Sequence, residues 1–213
     1  VLEVARQLAS RGCRRHHCSI ESRVRFAFWG AEEYGALGSE HYVSSLAPEE
    51  LAQIALNLNF DMLGSPNFVR FVYDGDASET PVAGPPGSEQ IEAVFAELFA
   101  AQGLPTAVTA LDGRSDYAAF MAAGIPVGGL FSGAEGIKTE EQAALFGGTA
   151  GAPPHPCYPA ACETRAPVSE QALAELGGAA LHAVAVFASR VEPLGPATHT
   201  SVSADPLLRL PFR

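Results

Sequence analysis

Short apolar segments that favour β-strand alternate along this chain with segments whose apolar residues recur at helical spacing. This alternation constrains the fold more than any other feature, because strands separated by helices assemble into a sheet with helices on its faces. Ser88 and Ser115 are candidate N-caps for two of the helices. The predicted strands are 24–29, 54–60, 68–73 and 125–131, and the predicted helices are 1–10, 37–46, 89–102, 115–124 and 169–189.

The remaining segments predict the domain organisation. Residues 74–87 and 132–168 are rich in Gly and Pro and are predicted to be loops, and a loop as long as the second is usually functional or disordered. We expect one α/β domain over residues 1–190, a three-layer sandwich with a central, mostly parallel (mixed) β-sheet flanked by helices. A Pro-rich tail follows at 191–213.

The start of the chain resembles the middle of a helix. Residues 1–8 carry no N-cap before the first apolar side chains, and there is no initiator Met. We therefore expect the domain to be incomplete at its N-terminus, so that the lack of a signal peptide says nothing about the compartment.

The composition excludes some classes of binding partner. A hydrophobic content of 47% in 213 residues is enough for one real core. The formal net charge of −11 argues against a nucleic-acid surface, which needs clustered Lys and Arg. No run of 18 apolar residues occurs, so no membrane span is expected either.

The four cysteines form two closely spaced pairs, Cys13 with Cys18 and Cys157 with Cys162. This pattern allows two disulfides and suggests an oxidising compartment. The first pair can also be interpreted as a metal knuckle, although its spacing matches no common zinc pattern well.

Three acidic residues lie where predicted strands end. Glu32 and Glu33 follow strand 24–29, and Asp61 ends strand 54–60. In α/β sheets the chemistry collects at the carboxyl ends of strands, where one carboxylate can hold a metal while its neighbour takes a proton from water. Taken singly, each residue also fits a solvated turn or a helix cap, and Arg114 fits a surface turn with an ion pair.

Together and in this order, the motifs resemble the M28 family of zinc metallopeptidases. The similarity is to its Streptomyces-type secreted aminopeptidase branch and covers about residues 1–190. The segments that carry it are 28–39 (FWGAEEYGALGS), 58–65 (LNFDMLGS), 112–117 (DGRSDY), 124–126 (GIP), 133–139 (GAEGIKT) and 147–151 (GGTAG), followed by Cys157, Tyr158 and Cys162.

The resemblance implies two zinc ions that share a bridging water, with Glu32 as general base. Glu33 would bind one zinc and Asp61 the other. Tyr158 would donate a hydrogen bond to the oxyanion, and Arg114 would lie near the substrate. A disulfide between Cys157 and Cys162 would hold Tyr158 in place. The family also implies a secreted monomer that acts on peptide or protein N-termini with large apolar first residues, and calcium is a second candidate cofactor.

The sequence departs from the family in two places. The family's His-x-Asp and bridging Asp are expected upstream of the helix at 1–10, and no His-x-Asp occurs in these residues. The family's last zinc ligand is a His directly after the Tyr, where this chain has Pro159. His155, earlier in the same loop, can replace it only if the loop shifts. We therefore expect little or no peptidase activity from these residues alone.

Two other functions fit the same sequence. One is a non-catalytic M28-like domain kept for binding, which Pro159 favours. The other is an acyltransferase related to glutaminyl cyclases, which use one zinc; the close match to the peptidase branch argues against it.

Overall fold

The computed structural model describes residues 1–12, 20–164, 167–190 and 194. The Cys13–Cys18 pair therefore lies outside the described residues. So does the predicted tail at 191–213, apart from Leu194, which packs against the main core.

The centre of the molecule is a mixed sheet of four strands in the order β1-β4-β2-β3. β1 runs parallel to β4, β2 runs parallel to β3, and β2 pairs with β4 antiparallel. The predicted mixed sheet flanked by helices is confirmed. The strands are β1 (Asn57–Asp61), β2 (Phe71–Tyr73), β3 (Ala107–Thr109) and β4 (Val127–Phe131).

Seven α-helices and one short 3₁₀ helix, Glu32–Tyr34, complete the described part of the chain. The α-helices are α1 (Leu2–Gly12), α2 (Leu37–Ser45), α3 (Pro48–Leu51), α4 (Ser88–Ala101), α5 (Tyr117–Ala122), α6 (Glu140–Phe146) and α7 (Glu170–Ala188).

Helix α7 packs against α1, α4 and β4. Its length and composition would also allow it to cross a membrane, but this is weak evidence, because 56% of its most apolar 18-residue stretch is buried inside the protein. The contacts with α1 and α4 show that α7 is a core helix of the domain.

Two glycines in β4 allow close packing, Gly128 against helix α4 and Gly129 against the neighbouring strand β1. A Cβ at Gly128 would lie 2.5 Å from Cγ2 of Ile91 in α4, and one at Gly129 (φ 153°) would lie 1.9 Å from the Asn59 carbonyl oxygen in β1. The largest core cluster therefore forms where α4 and α7 cover the sheet, and includes Val72, Ile91, Phe95, Phe99, Leu130, Leu176 and Phe187.

The predicted strand at 24–29 is wrong. Residues 23–29 make no backbone hydrogen bond to another described residue. Val24 and Phe26 instead pack against the α1–α7 cluster that contains Val4, Ala180 and Val184. The apolar side chains of this segment thus pack against helices, and the segment does not pair with a strand.

Four described elements were not predicted: the 3₁₀ helix Glu32–Tyr34, α3, β3 and α6. Strand β3 has only three residues, too few for an alternating pattern. Helix α6 lies inside the predicted loop at 132–168, and its N-cap is Thr139, whose hydroxyl accepts from the Gln142 N–H at 3.1 Å. The Gln142 side chain accepts from the Thr139 N–H in return, which is a capping box.

The two serines predicted as N-caps have other partners. Ser88 is the first residue of α4, and its hydroxyl accepts from the Val127 N–H at 2.9 Å. The Ser115 hydroxyl donates to Asp61 rather than capping α5. In both cases a partner distant in sequence has displaced the local cap.

Candidate active site

The two adjacent glutamates lie on a turn that folds back on itself. The Gly38 N–H donates to the Gly30 carbonyl at 3.1 Å, and a Cβ at Gly38 would lie 2.6 Å from that oxygen. Ala31 enters the turn in the left-handed region, with φ 59°. Such strain in a residue with a side chain is characteristic of functional sites. The turn presents Glu32 and Glu33 in a single 3₁₀ turn.

Trp29 anchors this turn to the rest of the molecule. Its ring centroid lies 5.1 Å from that of Tyr42 in α2 and 6.0 Å from that of Phe120 in α5. The position of the glutamate pair is therefore coupled to both helices.

The turn forms one wall of an open cleft of 480 Å³. Three carboxylates line the cleft, with one guanidinium and one phenol, so the lining favours a positively charged group. Small side chains of α5 keep it wide. The lining residues are Glu32, Glu33, Gly35, Ala36, Glu40, Gly113, Arg114, Ala118, Ala119, Ala122 and Tyr158.

Asp61 ends β1 and is not among the residues that line the cleft. Its Oδ2 accepts a hydrogen bond from the Ser115 hydroxyl at 2.9 Å. Its charge nevertheless acts on Glu32, so the two carboxylates are close enough to interact.

The site concentrates negative charge. Burial raises the pKa of Glu32 to about 6; the charges of Asp61 and Glu33 add to this increase, and Arg114 partly opposes it. Burial also raises the pKa of Asp61, which the hydrogen bond from Ser115 counteracts. A cation among these carboxylates would relieve both effects.

Tyr158 comes to the cleft from the long loop. A disulfide between Cys157 and Cys162 closes the segment around it, as the resemblance implies. Burial raises the pKa of Tyr158, and its hydrogen bond to Glu33 raises the pKa further. The phenol therefore keeps its proton at neutral pH, and in this structure it donates that proton to Glu33.

The loop is held to the sheet by a buried lysine. Lys138, 2% exposed, donates from Nζ to the Phe68 carbonyl at 2.8 Å. Asn67 exchanges two hydrogen bonds with the backbone of Thr149, at 3.0 and 2.9 Å. These contacts fix the part of the loop that precedes Tyr158.

Arg114 also lines the cleft, and its guanidinium forms an ion pair with Glu135. Its backbone N–H donates to Asp112 Oδ1 at 3.1 Å. The two interactions orient Arg114 at the edge of the cleft, beside the glutamate pair.

His155 does not join this group. It is 7% exposed, it does not line the cleft, and its Nδ1 is buried without a hydrogen bond. Its backbone N–H donates to the Ala134 carbonyl at 3.0 Å, which fixes this part of the loop away from the cleft.

Within the described ranges, one group of three acidic, His or Cys side chains has ligand atoms within 4.8 Å of one another, and it lies elsewhere, at Asp74, Asp76 and Glu92. Asp74 there already accepts from the backbone N–H groups of Ser78, Glu79 and Thr80. We interpret it as the anchor of a loop.

The structure therefore brings Glu32, Glu33, Arg114 and Tyr158 together at one cleft. Asp61 acts on Glu32 through its charge, and His155 does not line the cleft. The sequence interpretation did not identify Asn59, Ser115, Glu40 and Glu135 as part of this region. Of these residues, Asn59 could have been inferred from the sequence, because it lies two residues before Asp61 on a strand and so lies on the same face of the sheet.

Comparisons with known proteins identify the family of the chain. The model of peptidase family M28 matches residues 1–184. An aminopeptidase of Pseudomonas aeruginosa is 54% identical over 152 residues, which are 71% of this chain and 28% of that protein. A probable leucine aminopeptidase 2 of Aspergillus fumigatus is 46% identical over 184 residues, 86% of this chain and 37% of that protein. The chain thus spans about a third of the length of these relatives.

Solved structures show the same fold. An aminopeptidase from Aneurinibacillus sp. strain AM-1 superposes with a TM-score of 0.53 at 21% identity, over 81% of this chain and 35% of that one. A zinc aminopeptidase from Bacillus subtilis gives 0.53 at 22% identity, over 75% and 34%. With the family match over most of its length, this chain belongs to peptidase family M28.

Proposed function

We propose that this chain supplies part of the active site of a metal-dependent aminopeptidase, which releases N-terminal residues from peptides. The observation that carries the proposal is the convergence of Glu32, Glu33, Arg114 and Tyr158 on one cleft. Relatives that are named aminopeptidase or leucine aminopeptidase support it, and the latter name favours a large apolar first residue.

A zinc ion fits the cleft in part. Glu33 and Asp61 offer carboxylate oxygens, which zinc accepts. Burial, followed by repulsion between neighbouring carboxylates, raises the pKa values of Glu32 and Asp61, and a cation would offset both causes. The described residues bring no histidine to this place, and a zinc site needs more ligands than these two. When bound, zinc would polarise a carbonyl and acidify a water. Two zinc ions belong to the proposal because the resemblance implies them, and calcium is kept as a second candidate cofactor.

The protein's own groups have separable roles in this proposal. Glu32, with a pKa near 6, is deprotonated at neutral pH and can accept a proton as general base. Tyr158 keeps its proton and can donate to a developing oxyanion. The carboxylates of the cleft attract the α-ammonium group of a peptide, which restricts the reaction to N-termini.

The proposed function includes a cellular compartment and a class of partner. The Cys157–Cys162 disulfide is consistent with a secreted protein, since disulfides persist in oxidising compartments. We propose a monomer whose partners are peptide or protein N-termini, with no nucleic-acid or membrane partner.

A non-catalytic binding domain is the second candidate. Pro159 stands where the family has a ligand histidine, and His155 lies outside the cleft. These two observations favour a domain that keeps the fold and the acidic cleft but not the reaction.

Leucine release from leucine p-nitroanilide tests the proposal. The protein encoded by the complete reading frame that contains these residues should release leucine, and a zinc chelator should abolish the release. Glu32→Gln should lower kcat by about 100-fold or more, since it removes the general base. Glu49→Gln, an exposed carboxylate on α3, is the matched control and should keep the wild-type rate.

Two outcomes would contradict the proposal, the first by removing the role of Glu32 and the second by removing the activity. Equal rates in wild type and Glu32→Gln would remove Glu32 from the reaction. Peptide binding by the wild type without any hydrolysis would favour the binding domain.

A further inference from the structure

The acidic cleft continues past its candidate catalytic residues, to a part that is lined by helices α2 and α5. Ala36 and Glu40 line it at the start of α2, and Ala118 and Ala122 line it from α5. The Glu40 N–H donates to the Ala36 carbonyl at 3.0 Å, so these two residues are one helical turn apart on the same face. Ala118 and Ala122 have the same spacing on α5. The cleft therefore has one wall on each helix.

The two walls differ in chemistry. The α5 wall presents the methyl groups of Ala118, Ala119 and Ala122. The α2 wall presents the carboxylate of Glu40, which is exposed and forms no ion pair with any described residue. An apolar surface thus faces a carboxylate that is open to a ligand.

The position of Glu40 is fixed relative to the glutamate pair. The Ser39 hydroxyl, 0% exposed, donates to the Ala36 carbonyl at 3.0 Å and fixes the first turn of α2. Further along α2, the ring of Tyr42 lies 6.2 Å from that of Phe120 in α5. The wall that carries Glu40 is therefore held against α5.

The charge of this cleft is not balanced by its own residues. Its described lining carries the carboxylates of Glu32, Glu33 and Glu40 against the single guanidinium of Arg114. Arg114 is already paired with Glu135, which does not line the cleft. A cleft lined mainly by one sign of charge raises the local concentration of oppositely charged ligands. In the proposed function Glu32 and Glu33 act at the reacting bond, so Glu40 is left to recognise a second positive group.

A basic side chain fits this part of the cleft better than other cations do. Lysine and arginine carry a cationic head on an aliphatic stem, and such stems pack along apolar surface while the head stays in a polar setting. The alanines of α5 suit the stem, and Glu40 suits the head. The volume of 480 Å³ lies in the range of pockets that hold whole small molecules, about 300–1,000 Å³.

We propose that Glu40 is a specificity-determining residue, which binds the side chain of a lysine or arginine in the second position of a peptide substrate. The inference rests on the proposed function, in which the first residue is large and apolar and is the one released. The basic side chain is assigned to the second residue because the first is apolar.

The test compares Leu-Lys amide with Leu-norleucine amide as substrates of the protein from the complete reading frame. Norleucine keeps a linear aliphatic stem and lacks the ammonium group, so the ratio of the two kcat/KM values isolates the effect of the charge. Glu40→Gln removes the charge of the carboxylate with little change in shape, and Glu40→Lys reverses it. Glu49→Gln, an exposed carboxylate on α3, is the matched control.

We expect the wild type to favour Leu-Lys amide by about 2- to 5-fold, the effect of an exposed ion pair. This preference should weaken as salt is added, because exposed charges are screened. Glu40→Gln should abolish the preference, and Glu40→Lys should favour Leu-Glu amide over Leu-Lys amide. Glu49→Gln should keep the wild-type ratio.

Equal kcat/KM values for the two peptides in the wild type would overturn the inference. A preference for lysine that persists unchanged in Glu40→Gln would also overturn it, because other groups would then be its source.

Isothermal titration calorimetry with the same two peptides separates this inference from the proposed function. If the wild type hydrolyses neither peptide, the proposed function fails. Tighter binding of Leu-Lys amide than of Leu-norleucine amide, lost in Glu40→Gln, would still support Glu40 as the recognition residue. Equal affinities, or no binding of either peptide, would overturn that role as well.

Discussion

The carboxylate of Glu32 is held where its charge is unfavourable. Burial is the largest cause of its raised pKa of about 6, followed by the charges of Asp61 and Glu33. A carboxyl whose pKa is raised on folding binds its proton more tightly in the folded state. Stability therefore falls as the pH rises from the ordinary value of 4.5 through about 6.

Glu32→Gln should consequently stabilise the metal-free protein at pH 7.5. We expect a gain of about 1 kcal/mol in the free energy of unfolding, after discounting for solvent screening, and almost none at pH 4.5. Urea unfolding at both pH values measures it, with Glu49→Gln as the exposed control. A loss of stability at pH 7.5 would contradict the charge repulsion described here.

For single residues, the order of the motifs predicted more of the site than any one motif could alone. Glu32, Glu33, Arg114 and Tyr158 were assigned through the order of the motifs, and the structure places all four at one cleft. His155 could not be placed from sequence, because its position depends on how a long loop folds against Lys138 and Asn67.

Among the elements, the loop after β2 is organised by one buried carboxylate. Asp74 is 0% exposed and accepts from the backbone N–H groups of Ser78, Glu79 and Thr80. Burial opposes its ionisation, but these hydrogen bonds outweigh burial and hold the pKa of Asp74 below its usual value. The resulting stability is present above the unfolded pKa and is lost as the pH falls through the folded one.

Asp74→Asn should destabilise the protein at pH 7 by about 2 kcal/mol, because the amide loses the charge and turns a donor toward N–H groups. Asp76→Asn is the matched control, since Asp76 is exposed and accepts from one backbone N–H, that of Ser78, and should change stability much less. Thermal unfolding of both variants measures the difference. Equal losses of stability in the two variants would mean that the burial of Asp74 and its three hydrogen bonds do not stabilise the fold.

Long periodic elements were predicted better than short ones. The helices at 89–102 and 169–189 agree with α4 and α7 to within a residue at each end, because their apolar faces pack on the sheet. Strand β3 was missed because three residues carry no period, and segment 24–29 was misassigned because apolar composition does not reveal whether a ladder forms.

For the molecule as a whole, α7 joins the layers. Its side chains contribute to the cluster under the sheet and to the cluster with α1. Its Glu175 also forms an ion pair with the buried Arg70 at 2.6 Å. Loss of packing on the buried face of α7 should therefore weaken the entire fold.

Leu176→Ala should lower the free energy of unfolding by about 3 kcal/mol, because Leu176 is 0% exposed and its loss leaves a cavity. Leu173→Ala, on the same helix but 41% exposed, is the control and should have a much smaller effect. Urea unfolding of both variants measures the difference. Similar losses for the two leucines would contradict the core role of α7.

The central claim is that the acidic cleft binds a catalytic metal, and anomalous diffraction tests it most directly. Crystals of the protein from the complete reading frame, grown with zinc, should show an anomalous peak at the zinc edge about 2.0–2.2 Å from the carboxylate oxygens of Glu33 and Asp61. A peak confined to Asp74, Asp76 and Glu92, or no peak in the protein, would contradict it.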